Sequence, residues 1–328
     1  MKYNVFGRTG RQVSRLGYGA MGLGGSFGAY EEKELVRSVI HSLERGVTFI
    51  DTARNYGESE RILGLALREW CGERPFLASK IQSKGPGNLG WGIPIPVETA
   101  YPRGWLREST EASLRQLGVD TIDLMQLHQY WPQWDSSDYW MDELLALKQE
   151  GKIGAIGISL PDQRHDLALP IVQSGKIDSV QTVFHIFDPQ PLDCLIPACE
   201  KNNVALIARC ILDEGGLTGF LKEDTAFEDG DFRKSYFDYL PRSLYIERVN
   251  RLREMFIPAY AGSLAELAIK FVLHHPGVTT AISSMHVTKF ADENIAAVDR
   301  EPLPDSVFEE IRRHHRWVRN FYETKYWV

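Results

Sequence analysis

Eight short apolar runs alternate along the chain with amphipathic segments, and this alternation constrains the fold more than any other feature. The runs are SRLGYGA (14–20), TFIDT (48–52), FLASK (76–80), IDLMQLH (122–128), IGAIGIS (153–159), SVQTVF (179–184), ALIARC (205–210) and TTAISS (279–284). Each is nearly continuously apolar rather than alternating, as expected of parallel strands covered on both faces. Between them lie stretches with helical spacing. In the segment from Glu34 to Leu43, Leu35, Val36, Val39, Ile40 and Leu43 share one face; further helical stretches run from Leu106 to Leu117 and from Asp142 to Lys148. Eight strand–helix units without a second composition regime predict a closed (β/α)8 barrel of the TIM type, with residues 1–328 as a single domain.

An open doubly wound sheet is the competing architecture. It would place a Gly-rich phosphate turn after the first strand and an acidic residue about twenty positions on. The glycines of GYGAMGLGGSFG lack that partner and are expected to form a flexible loop at the barrel mouth. Upstream, YNVFGRTGRQVSRL reads as a β-hairpin turning at Thr9-Gly10, a plug for the barrel bottom. Two long interruptions, 83–105 and 213–245, are expected to stand over the C-terminal face and shape a pocket there.

Charge and composition narrow the partners. A net charge of −7 with scattered basic residues argues against a nucleic-acid surface. The densest basic run (Arg312, Arg313, His314, His315, Arg316) reads as the solvated face of a C-terminal helix. No stretch approaches the length of a membrane span, and the N-terminus lacks the apolar core of a signal peptide. Cys71, Cys194, Cys199 and Cys210 show neither CxxC nor metal spacing, so reduced thiols, no metal and a cytoplasmic location are expected.

Polar residues at the ends of barrel strands are informative because those ends converge on one mouth. Asp51 ends the second run, Lys80 the third and His128 the fourth, and Tyr56 follows Asp51 by five residues. Singly, each has an ordinary explanation. Asp51 could cap a helix, Tyr56 could pack, Lys80 could lie in a surface ion pair, and His128 could be a hydrogen-bonded interior histidine. Together they make a proton-transfer centre. A lysine ammonium is expected to lower the pKa of a neighbouring phenol, a carboxylate to hold that lysine charged, and a neutral imidazole to donate to a substrate oxygen.

FIDTARNYGESERILGLALRE resembles the second-strand signature of the aldo-keto reductases, WLRESTEASLRQLGVDTIDLMQLH their third-helix and fourth-strand signature, and LASK their lysine motif. The similarity runs from FGRTGRQVSRLGYGAMGLGG to ENIAAVDREPLPDSVFEEI. The resemblance implies that Asp51, Tyr56, Lys80 and His128 form a catalytic tetrad. It also implies an extended nicotinamide dinucleotide across the barrel mouth, NADP with NAD as the alternative. Ser159 and Gln181 match its carboxamide contacts; Leu160 stands where many members have asparagine. Arg209 takes the place of an aromatic ring often found under the nicotinamide, and Ile211, Leu212, Ala20 and Met21 are further expected cofactor contacts. Ser284 and His286 match backbone and phosphate contacts, and Glu293 and Asn294 the adenine contacts. Phe290 replaces the usual polar or basic residue there, which His286, Lys289 and Arg233 could offset.

The activity so implied is interconversion of an aldehyde or ketone, sugar-like or cyclic substrates included, with an alcohol. Trp91, Trp105, Tyr130, Trp131 and Trp134 are the candidate substrate contacts, with loop anchoring as their ordinary alternative. A cofactor-binding regulatory subunit with little turnover is the second reading, because the family includes one that retains the tetrad. A barrel hydrolase would need paired carboxylates at strand ends, and only one is present. A small carbonyl or alcohol is the expected partner. Monomer and homo-oligomer both remain open.

Overall fold

The computed structural model describes residues 1–85, 94–238 and 241–319. Strands β1 (Tyr3–Val5) and β2 (Gln12–Ser14) pair antiparallel around a short helical turn at Gly7–Thr9, closed by Gly10 at φ 71°. The next eight strands form the closed parallel barrel: β3 (Leu16–Gly19), β4 (Phe49–Asp51), β5 (Phe76–Ile81), β6 (Ile122–Leu127), β7 (Ile153–Ser159), β8 (Ser179–Val183), β9 (Ala205–Arg209) and β10 (Thr280–Ser284). β10 pairs with both β9 and β3, so no edge is left open.

Strand parity sorts the core into two regions. Phe49, Phe76, Ala78, Leu124, Ala155, Ala205, Ile207 and Ile282 fill the lower barrel interior together with Phe6 and Val13 from the hairpin. The alternate residues, among them Ile50, Leu77, Met125, Ile156 and Leu206, pack against the helices. Continuing the inward parity toward the C-terminal strand ends replaces apolar side chains by Asp51, Lys80, Gln126, Ser159, Gln181, Arg209 and Ser284. The barrel is thus dry at one end and polar at the other.

The helices follow their apolar faces. The one at Glu32–Glu44 buries Leu35, Val36, Val39 and Leu43 and carries Glu32 and Glu34 in its first turn, where acidic charge suits the helix dipole. The expected helical stretches lie inside Trp105–Leu117 and Tyr139–Gln149. The C-terminal helix spans Asp305–His314, and Arg312 and Arg316 reach Asp193 rather than only solvent.

The segment after β3 departs from expectation. It is a 3-10 helix, Ala20–Gly24, not a flexible loop. Gly24 lies so close to the Tyr56 carbonyl that an added Cβ would stand 1.8 Å from its oxygen. The glycines permit this close packing. Among the described residues no helix is long and apolar enough to cross a membrane.

The hairpin plug makes a direct prediction. Phe6 is fully buried, with its ring centroid 4.7 Å from that of Phe76 and 5.7 Å from that of Phe49. Phe6→Ala should lower the unfolding free energy by about 3–5 kcal/mol in a denaturant titration. An unchanged midpoint would mean that the hairpin contributes nothing to closing the barrel.

Candidate active site

Tyr56, Lys80, Asp51 and His128 meet at the polar end of the barrel. The ammonium of Lys80 donates to Asp51 Oδ1, to the Thr52 carbonyl at 2.9 Å and to the Tyr56 hydroxyl at 3.3 Å. The ring of His128 stands edge-on to that of Tyr56, with centroids 5.7 Å apart and planes at 78°. Lys80 and Asp51 are fully buried, His128 is 4% exposed, and Tyr56 keeps partial exposure to the cavity.

The electrostatics follow from this burial. Desolvation lifts the Tyr56 phenol above its ordinary 10.0 even though Lys80 pulls it down; Asp51 adds to the rise. The expected net lowering by lysine is therefore corrected, because the cost of a buried phenolate outweighs the ammonium beside it. The phenol holds its proton at neutral pH. Burial also opposes the Lys80 charge, but Asp51 and the phenol outweigh it and hold the lysine above its ordinary value. His128 is held well below the usual imidazole value by burial, then by Lys80 and Arg209, and is neutral.

A residue not singled out from the sequence completes the carboxylate's environment. Gln126 donates to Asp51 Oδ2 at 3.2 Å and Gln181 donates to the same oxygen at 2.9 Å, with a further contact to Gln126 Oε1 at 3.4 Å. Its position two residues before His128 on one strand face was the available signal.

Above the four groups opens a cavity of about 810 Å³, within the usual range for a small-molecule site. Ala20, Met21, Gln181, Arg209, Ile211, Leu212, Arg233, Ser284, His286, Phe290, Glu293 and Asn294 all line it, together with Asp51, Tyr56 and His128. Ser159 lies just behind this lining, in register with Gln181 on the neighbouring strand. Ser159 Oγ and Gln181 Oε1 are buried without hydrogen-bond partners. A hydroxyl and an amide oxygen side by side suit a primary carboxamide, which carries both a donor and an acceptor. The site therefore fits a nicotinamide group on its own geometry.

Other positions behave differently from their expected roles. Arg209 is held edgewise by an ion pair with Asp162 at 2.6 Å and by the Leu160 carbonyl at 3.0 Å, so Asp162 joins the site without any signal in the sequence. Arg233 pairs with Asp231 at 2.6 Å and lies over the ring of Phe27. His286 bonds Ser284 at 2.7 Å and is pushed down to about 4 by burial and by Arg233, so it carries no charge for a phosphate at neutral pH. Of the candidate substrate aromatics, Trp105, Tyr130 and Trp134 take anchoring hydrogen bonds. Trp105, Tyr130, Trp131 and Trp134 do not line the cavity; Trp105 Nε1 donates to the Gln82 carbonyl, Trp134 Nε1 to that of Ile95, and the Tyr130 hydroxyl to Asp135. Large flat rings serve here to pin long loops. Trp91 lies outside the described residues.

A strap closes one side of the mouth. Asp213, fully buried, accepts from Tyr236, from Tyr245 at 2.7 Å and from Arg319 at 2.6 Å. Phe232 N–H then reaches the Ser26 carbonyl at 3.1 Å across the opening. Cys210, Asp213 and Glu214 adopt φ of 55°, 48° and 55°, which folds the segment after β9 back over the barrel.

Fold and site define a parallel α/β barrel whose C-terminal mouth joins a phenol, an ammonium, a carboxylate and an imidazole to a cavity fitted for a carboxamide-bearing ligand. The aldo/keto reductase family model matches residues 15–316, and the chain belongs to that family. It is 30% identical over 291 residues to aldo-keto reductase YhdN of Bacillus subtilis, covering 86% of this chain and 84% of that one. It is 27% identical to a NADH-specific methylglyoxal reductase of Escherichia coli, covering 91% and 94%. The solved structure of aldo-keto reductase AKR11C1 from Bacillus halodurans, in its holo form, superposes with a TM-score of 0.75 at 26% identity, covering 98% and 99%.

The neutral His286 predicts a pH effect. Its folded pKa lies below the 6.5 of a free imidazole, so the unfolded chain binds the extra proton first as pH falls. Its contribution is present above 6.5 and is lost as pH falls toward about 4. Melting temperatures of His286→Asn should therefore decline less steeply than wild type over that window, and parallel curves would refute the assignment.

Proposed function

We propose that the chain is an NAD(P)H-dependent oxidoreductase that interconverts an aldehyde or ketone with its alcohol, with Tyr56 as general acid and, in reverse, general base. The observation that carries this reading is the Tyr56 hydroxyl 3.3 Å from the ammonium of Lys80, which is itself paired to buried Asp51. Family membership and the reductase names of its relatives support the same class.

Ser159 and Gln181 would hold the nicotinamide carboxamide. The lining at Ala20, Met21, Arg209, Ile211, Leu212, Arg233, Ser284 and His286 would carry the dinucleotide across the mouth to Phe290, Glu293 and Asn294. When bound, the dinucleotide supplies the hydride, which no side chain can provide. The protonated Tyr56 delivers a proton to the carbonyl oxygen, and Lys80 stabilises the phenolate left behind. Neutral His128 is an uncharged neighbour that can orient that oxygen without adding a second cation. Partial exposure of Tyr56 lets solvent restore its proton.

NADP is the expected cofactor and NAD is admitted. Neutral His286 and the Asp231-paired Arg233 offer a 2′-phosphate no uncompensated charge, which leaves solvent-exposed Lys289 as the remaining cation of the three. Fluorescence titrations should accordingly place the Kd values of NADPH and NADH within about tenfold, roughly 1.4 kcal/mol. A much larger gap in favour of NADPH would point to a phosphate clamp elsewhere.

Spectrophotometric assay of NADPH and NADH against aldehydes, ketones and ketosugars tests the activity. Tyr56→Phe should cut kcat by about 10²–10⁴ while leaving cofactor Kd nearly unchanged. Tight cofactor binding with no turnover on any carbonyl would replace this reading by that of a regulatory subunit.

A further inference from the structure

A carboxylate behind the barrel wall holds two parts of the proton-transfer centre at once. Glu60, the second residue of the helix Ser59–Glu69, is 2% exposed. Its Oε1 accepts from Ser79 Oγ at 2.7 Å, and its Oε2 accepts from Arg54 Nη1 at 2.7 Å. Ser79 precedes Lys80 on β5, and strand parity turns its side chain outward to the helix layer while Lys80 points inward. Arg54 lies two residues before Tyr56, in the segment that presents the phenol.

The backbone reinforces both connections. Thr52 N–H donates to the Ala78 carbonyl at 2.9 Å, and Arg54 N–H to the Lys80 carbonyl at 3.2 Å. Ser59 Oγ contacts Thr52 Oγ1 at 2.9 Å and donates to the Ala20 carbonyl at 2.8 Å. The Tyr56 segment is thus fixed from the mouth side by Ala20 and Gly24, and from the helix side by Glu60. A buried carboxylate is costly unless its oxygens are satisfied, and here the satisfying groups lie next to Lys80 and next to Tyr56.

We propose that Glu60 is a positioning residue for the reaction: by holding Arg54 and Ser79 together it sets the distance between the Tyr56 hydroxyl and the Lys80 ammonium. This rests on the carbonyl-reductase reading above. Proton transfer is steep in distance, and a displacement near 1 Å can cost about 10²-fold in rate. Glu60 touches neither substrate nor cavity, so its influence runs through those two residues.

The test is a kinetic comparison of full-length wild type, Tyr56→Phe, Glu60→Gln, Arg54→Lys and Ser79→Ala, with NADPH affinity read separately by fluorescence. Glu60→Gln preserves shape and an acceptor for Ser79 but removes the charge that fixes Arg54. It should lower kcat by about 10–100-fold with NADPH Kd unchanged within about twofold. The pH limb of kcat governed by Tyr56 should also move upward. Lys80, Asp51 and Arg209 act on that phenol and His128 stands edge-on beside it, and withdrawal from Lys80 removes the strongest influence favouring ionisation. A purely structural role would lower the melting temperature and leave both kcat and its pH limb in place, which would overturn the proposal. If Glu60→Gln does not fold, Ser79→Ala and Arg54→Lys each remove or alter one bond, and wild-type kcat in both would overturn it equally. Wild type without turnover, or Tyr56→Phe as active as wild type, would sink the carbonyl-reductase reading and this proposal together. Loss in Tyr56→Phe alone would sink only the role of Glu60.

Discussion

The ion pair between Lys80 and Asp51 is the interaction on which the rest of the site depends. Both charges are withdrawn from water, and such burial is tolerated only when each charge is paired and its remaining hydrogen-bonding capacity is used. Asp51 meets that demand with Lys80 on one oxygen and Gln126 and Gln181 on the other. Lys80 meets it with Asp51, the Thr52 carbonyl and the Tyr56 hydroxyl. Two of the groups that solvate the pair, Gln181 and Tyr56, also face the cavity. Removing either charge would leave the other buried alone, a loss of about 3–5 kcal/mol, so stability and the geometry of the site are tied together at this point.

The barrel makes that concentration of polar groups affordable in structural terms. Its lower interior is filled by Phe6, Phe49, Phe76, Leu124, Ile207 and Ile282, so water is kept away from the underside of the pair. Its upper interior belongs to the strand ends, where the side chains of neighbouring strands are brought into register: Asp51 beside Ala78, Lys80 beside Gln126, and Ser159 beside Gln181. The mouth is then walled by segments with separate anchors. Trp105, bonded to the Gln82 carbonyl just after β5, and Trp134, bonded to that of Ile95, hold one long loop, while Asp213 gathers Tyr236, Tyr245 and Arg319 to hold the other. A low dielectric strengthens every one of these polar contacts, and the same low dielectric keeps His128 neutral and Tyr56 protonated.

Much of this is legible in the sequence. Eight apolar runs of strand length coincide with β3 to β10 to within one or two residues, because a strand covered on both faces must be apolar throughout. Asp51, Lys80 and His128 were conspicuous as polar residues terminating such runs, and Tyr56 stood within reach of the first. Gln126 was equally readable from its two-residue offset to His128. The aromatic residues of the long loops were not, since a tryptophan that pins a loop and one that contacts a ligand look alike in a sequence.

The sequence by itself determined the barrel, the location of its mouth and the chemical types gathered there, because hydrophobic periodicity and strand-end position are local properties of the chain. Only the tertiary structure decided the state and partners of those groups. The pKa of Tyr56 depends on how much water burial removes compared with how much charge Lys80 restores, and Arg209 is turned into an ion-paired wall by Asp162, which sequence spacing does not connect to it. Glu60 meets Ser79 and Arg54 for the same reason: three segments converge through packing, and the distances between them exist only once the barrel has closed.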